Sequence, residues 1–209
     1  MICTSKNLIL AQVEDRAAFL RDLIEEYPRL LSEWTERTDM SFKEVAEEYA
    51  EGDSEVYHDT YRSFLSAFDE KEYREDMFYK AMLIIVYSYY DGVIEYLGGK
   101  TKSDDQIEQI CKDNNIELSE EAKEAKERLK MDIRNLRNHL VHNNLMSSKQ
   151  SEHIKRISKK WPEIQFSDDD VMITGSDFII DSLNKEELVL KELCDKLGYK
   201  HIRVKIGKT

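Results

Sequence analysis

Residues 131–144 read Met-Asp-Ile-Arg-Asn-Leu-Arg-Asn-His-Leu-Val-His-Asn-Asn, and no other stretch of the 209-residue chain concentrates as much side-chain chemistry. Two Arg-Asn dipeptides, Arg134-Asn135 and Arg137-Asn138, are each followed by a histidine five residues after the arginine, His139 and His142. These residue types suit cleavage of RNA without a metal. A neutral imidazole near pH 7 takes the proton from a ribose 2′-hydroxyl, and an arginine grips the scissile phosphate through two donors and offsets its developing charge. An asparagine orients either group or donates to a phosphate oxygen. DNA lacks the attacking hydroxyl, so the substrate of such a set is RNA.

The helix that must carry these groups has a core face. At 100° per residue Leu129, Ile133, Leu136 and Leu140 share one narrow sector, and Arg137 then lies at about 80°, Arg134 at about 140°, Asn138 at about 180° and His142 at about 220°. The polar set is therefore expected to face away from this helix's own core. Such a face is either plain solvent surface or a seam at which a second copy completes the cleft.

Upstream, the apolar spacing of Leu8, Ile9, Val13, Ala17, Leu20, Ile24 and Leu31 predicts a helix from about Ser5 to Trp34, kinked or broken at Pro28. A turn over Thr38–Ser41 is expected next, with Ser41 and Glu44 as a capping box for a short acidic helix ended by Gly52. Another helix is expected from Asp53 to Phe68, and the longest from Asp69 to Leu97, stopped by Gly98-Gly99. The middle of that helix is apolar nearly all round, so it is expected to be central and buried. It carries Asp91 and Glu95 one turn apart, a pair read either as lining a polar cleft, with Glu95 helping to orient a catalytic group, or as a solvent-facing edge or a partner for Lys/Arg on a neighbouring helix.

A short helix is expected from Ser103 to Asp113, and Ser119 with the acids after it opens the helix that runs into the motif. Beyond it lie a basic helix from Ser148 to Trp161, a hairpin of Ile164–Phe166 with Val171–Thr174, and an amphipathic helix from Asp177 to Leu197. The tail His201–Thr209 alternates apolar and basic residues, as an edge strand or a basic arm. The expected fold is mainly α, one domain over 1–209: a helical core over about 5–146 and a helix, hairpin and helix extension over about 147–209.

Net charge is −12 but unevenly shared: residues 1–120 hold 13 Lys+Arg against 28 Asp+Glu, and residues 121–209 hold 18 against 15. The second half alone suits a polyanion. Lys149, Lys155, Arg156, Lys159 and Lys160 are the RNA-binding candidates, with a solvated helix face as the plainer reading. Cys3, Cys111 and Cys194 are far apart without metal or disulfide spacing, and no secretory signal or membrane span is legible, so a cytoplasmic location is expected. Gly98-Gly99 lacks the context of a phosphate loop, and no cofactor motif is present.

Arg137-Asn138-His139-Leu140-Val141-His142 resembles the signature of the HEPN superfamily: an Arg, a polar residue that is usually Asn, His or Asp, three further residues and a His. The likeness covers mainly Tyr73 to Leu145. It implies a HEPN-like antiparallel helical bundle in which the motif lies on a late helix and meets its twin across a homodimer. It also implies a metal-independent endoribonuclease, with no cofactor, in a toxin–antitoxin or antiphage setting, partnered by RNA and by an antitoxin or another defence protein. Carried over by position, Arg137 and His142 are the catalytic pair and Asn138 the polar helper. Arg134, His139, Glu95 and Asp91 are auxiliary candidates, and the overlapping Arg134-Asn135 with His139 fits the bare pattern too. The best-known toxin branch has Tyr two residues after the His, where this chain has Asn144. The alternative is a non-catalytic HEPN-like module that binds RNA, a nucleotide or a protein.

Overall fold

The first helix is longer than the sequence predicts. In the computed structural model, which describes residues 5–68, 71–98, 103–142, 148–167 and 170–199, helix α1 runs unbroken over Ser5–Ala50 with Pro28 inside it. Proline at 28 removes the donor to residue 24 but sits on an exposed face. The expected turn at 38–41 is absent, and its residues have other roles. Thr38 bonds back to the Trp34 carbonyl at 2.9 Å, Asp39 pairs with Lys43 at 2.7 Å and accepts the Tyr61 hydroxyl, and Phe42 stacks on Phe64 at 5.1 Å. The last two contacts come from α2, Ser54–Phe68, which folds back along α1 after the left-handed pair Glu51-Gly52 and is capped by Asp53. Packing of α2 thus holds helical a segment whose local signals favour a turn.

Helix α3, Lys71–Tyr96, buries Tyr79, Met82, Leu83, Val86, Tyr87, Tyr90 and Ile94 on one side. It is not buried all round: Ile85 is 48% exposed, and Ala81, Ser88 and Gly92 share that open side. Helix α4, Ser103–Asp113, ends at Asn115 in the left-handed region, where the Ile116 N–H closes back on the Cys111 carbonyl at 2.8 Å. Helix α5, Glu120–Arg128, starts from Ser119, whose hydroxyl accepts the Ala122 N–H at 3.2 Å. A π turn over Leu129–Ile133 joins α5 to α6, Arg134–His142.

Helix α7, Ser148–Lys160, is followed by the antiparallel pair β1, Ile164–Ser167, and β2, Asp170–Ile173, in the register Ile164 to Ile173. Helix α8, Asp177–Lys196, closes the core. The architecture is thus mainly helical with one small hairpin near the C-terminus. Ile154, Ile157, Ile164, Val171, Ile173, Phe178 and Leu183 join the same hydrophobic cluster as Leu10 to Ile24, Val86 and Leu136. Asp76 of α3 ties the hairpin down, accepting the Ile173 N–H at 2.8 Å and pairing with Lys80 at 2.7 Å. Among the described residues no helix is long and apolar enough to cross a membrane. The tail His201–Thr209 lies outside the described residues.

The link from hairpin to α8 turns on Glu163. Its carbonyl accepts the Thr174 N–H at 2.8 Å and its carboxylate accepts the Phe178 N–H at 2.9 Å, at the start of α8. A Cβ on Gly175 would lie 2.8 Å from the Glu163 Cβ. Gly175→Ala must displace a side chain at its root, so a loss of about 1–3 kcal/mol is expected in urea titration. Wild-type stability in that variant would show that the link relaxes freely.

Candidate functional site

The π turn sets how the motif is presented. Inside it the backbone bonds reach one residue further than in an α-helix, and the Arg134 N–H closes on the Leu129 carbonyl. The extra residue turns everything after it by about 100° relative to a straight count. Accordingly α5 packs on α8 whereas α6 packs on α3 and α7. A straight count from Leu129 misses this rotation. Single π turns of this kind are frequent at functional sites.

Arg137 does not simply face away from the core. It is half-buried, its Nε is out of contact with solvent and without a hydrogen-bond partner, and its Nη1 donates to Asn138 Oδ1 at 3.0 Å. The guanidinium carbon lies 6.0 Å from the Tyr87 ring centre on α3. A long side chain directly after the buried Leu136 can fold back in this way, covering apolar surface with its stem. One turn beyond Tyr87, Asp91 is also half-buried, and its Oδ1 is secluded from solvent without a hydrogen-bond partner. Burial pushes the Asp91 carboxyl above the usual aspartate range; the charges of Arg137 and then Arg134 pull it back, and Glu95 pushes it up. Glu95 itself is exposed. The two acids therefore divide, Asp91 facing the motif and Glu95 the solvent.

Behind them lies a group that the sequence reading overlooks. Glu186 of α8 is 1% exposed, and neither of its carboxylate oxygens has a hydrogen-bond partner. Burial, and then the charge of Asp91, push its carboxyl well above the usual glutamate range, which favours its neutral form. Burial also pushes up the Tyr90 hydroxyl, with Glu186 the next cause. Glu186 falls three residues after Leu183 and four before Leu190, on the apolar stripe of α8. That phase is the sequence signal by which it can be found.

The two overlapping Arg-Asn copies are not equivalent. Asn135 spends its amide on the Met131 carbonyl of the π turn at 2.7 Å, whereas Asn138 accepts from its neighbouring arginine. Arg134 and His139 are half-buried. His142 is the last residue of α6, and its side chain lies outside the described residues.

On α7, Lys155, Arg156, Lys159 and Lys160 are all exposed, while Ile154 and Ile157 are buried beneath them. Arg156 is tied to Asp132 in the π turn, which joins the basic helix to the motif helix and leaves less of its charge for a ligand. Lys155 lies 5.9 Å from the Phe166 ring centre and Lys160 5.1 Å from that of Trp161. The side chain of Lys149 lies outside the described residues.

Among the described residues no group of three or more His, Cys, Asp or Glu side chains is arranged to hold a metal ion. Comparison with family models, curated proteins and solved structures finds no match to this chain.

Proposed function

We propose that the chain is a HEPN-type, metal-independent endoribonuclease acting through Arg137, Asn138 and His142. The observation that carries this reading is the state of the Arg137 guanidinium. Its Nε is turned inward, Nη1 is steadied by Asn138, and an aromatic ring lies beside it. Donors remain on Nη1 and Nη2, the pair that grips two oxygens of a phosphate side by side. A fork held in place before the substrate arrives spends little free energy on ordering at the moment of reaction.

In this mechanism the His142 imidazole takes the proton of the ribose 2′-hydroxyl as that oxygen attacks the adjacent phosphorus. The bond from phosphorus to the 5′-oxygen breaks, and a 2′,3′-cyclic phosphate forms. The departing oxygen takes a proton from a second acid, which a homodimer joined through the motif helices supplies as the other copy's His142. Arg137 offsets the charge on the equatorial oxygens. The exposed lysines of α7, which packs beside α6, guide the strand to the motif. A role in a toxin–antitoxin or antiphage system, with a protein partner that restrains the nuclease, belongs to the same proposal.

The test is cleavage of end-labelled RNA in the presence of EDTA. Cleavage with products ending in 2′,3′-cyclic phosphate is the expected result. RNA that is bound but stays intact would replace the enzyme with a binding module.

A further inference from the structure

The outer half of α1 packs on α2, where Ala46 and Ala50 are buried and Phe42 stacks on Phe64. Another face of the same helix is open: Leu30, Trp34, Ser41, Val45 and Glu48 are all exposed. Their spacing puts them on one side of α1 over about five turns, roughly 27 Å of helix. At the inner end of this face α3 lies alongside and the two helices enclose a groove of about 710 Å³, with Leu30 and Trp34 of α1 and Tyr73 and Met77 of α3 in its walls. Those four side chains are between 38% and 59% exposed. Tyr27 and Phe78, also in the walls, stack with ring centres 3.5 Å apart, and Arg74 lies over the Trp34 ring at 4.3 Å. The groove is thus formed in advance by ring contacts. Large apolar side chains that meet in such a concavity mark a binding surface, whereas the same residues scattered singly would not.

The charges around this face decide what fits it. Residues 30–68, the outer part of α1 together with α2, hold ten Asp+Glu against three Lys+Arg. Glu44 and Glu48 stand exposed beside Val45, beyond the groove. A polyanion is repelled here. A second copy meeting this face across a two-fold axis would set the acidic patch against itself, at a cost in like-charge contacts. We propose that the open face of α1, with its groove against α3, is the docking site for a basic amphipathic helix of a protein partner. Apolar side chains of that helix enter between Leu30, Trp34, Tyr73 and Met77, and its Lys and Arg lie against Glu44 and Glu48. Trp and Tyr in a pocket supply the anchoring contacts, and the acids speed and orient the encounter. No residue of the 131–144 motif takes part, so the assignment stands whether or not the chain cleaves RNA.

The probe is a labelled peptide of Leu and Lys, about 18 residues long to match five turns, with its leucines on one helical face. It is titrated with the full chain and followed by fluorescence anisotropy. One control peptide has the same residues in scrambled order, and a second has Glu in place of every Lys. The amphipathic cationic peptide is expected to bind at least about tenfold more tightly than the scrambled one, and the anionic peptide not to bind. Leu30→Ser and Met77→Ser change exposed side chains outside the core, so circular dichroism should show an intact fold, and each should weaken binding about tenfold. Glu44→Gln combined with Glu48→Gln should weaken binding at low salt and much less at about 0.5 M salt. Equal binding of the scrambled peptide, or wild-type affinity in both Ser variants, would overturn the assignment, because the acids alone would then be attracting the probe. Sedimentation equilibrium decides on the other occupant: a wild-type dimer that Met77→Ser reduces to a single chain would give this face to a second copy and overturn the assignment too. Wild-type protein that leaves RNA intact would sink the nuclease reading and leave these binding results as they are.

Discussion

Arg137→Ala should slow single-turnover RNA cleavage by about a thousandfold, the scale of losing a preorganised donor aimed at transition-state charge. The fold should survive, because truncation also removes a buried Nε that has no partner. Arg137→Lys should restore little. An ammonium is a point charge without the planar pair of donors, and its shorter reach loses both the Asn138 oxygen and the Tyr87 ring. His142→Ala should lose roughly a hundredfold to ten-thousandfold, as expected for a general base. Arg156→Ala is the informative contrast. Its guanidinium is engaged by Asp132, so its removal should weaken RNA binding modestly and leave the rate of the bound complex nearly unchanged. The series is read by rapid mixing under enzyme excess with protein of matched purity. Full activity in Arg137→Ala would sink the assignment of this arginine and point to the overlapping Arg134 copy.

The second large effect concerns stability against pH. Glu186 keeps its proton in the folded chain, where burial and the Asp91 charge oppose ionisation, and releases it in the unfolded chain at ordinary glutamate pH. Between those two pKa values the folded state binds one more proton than the unfolded state. Stability should therefore fall as pH rises, by about 1.4 kcal/mol per pH unit from this residue. The contribution is fully present below the ordinary glutamate pKa and is lost as pH rises towards the folded one. Glu186→Gln cannot ionise and should remove that slope, so the variant gains on the wild type as pH increases. Urea titrations of both proteins at several pH values from 4 to 8 test this, and their difference cancels the other titrating groups. Parallel profiles would show that the carboxyl is ionised within the fold or reached by water.

Much of the fold is legible because local and tertiary preferences agree. Ser119 with its following acids, the β-forming runs either side of residues 168–169, and the apolar stripe of α8 all form what their patterns predict. The sequence misleads where the two preferences conflict. Thr38 to Ser41 carries turn-forming residues, yet Phe64 and Tyr61 of α2 supply partners that a free turn would lack. At the motif, residue types and spacing are plain in the sequence, whereas their setting depends on one extra residue in the π turn. Hydrophobic periodicity cannot show that extra residue, because Leu129, Ile133 and Leu136 fit an α-helix equally well. The division between Asp91 and Glu95 was equally hidden, since it follows from how α6 meets α3 and not from their own spacing.

A rod of 46 residues has a consequence for the size this protein shows in solution. At 1.5 Å per residue α1 is about 69 Å long, whereas a compact chain of this length has a radius of gyration of about 17 Å. The far part of α1 and α2 packed along it add little mass and much drag. The frictional ratio of a single chain is therefore raised, and its elution volume on a column calibrated with spherical standards falls towards that of a heavier particle. Light scattering or sedimentation equilibrium, which weigh the particle irrespective of its outline, are the measurements by which one copy and two are told apart.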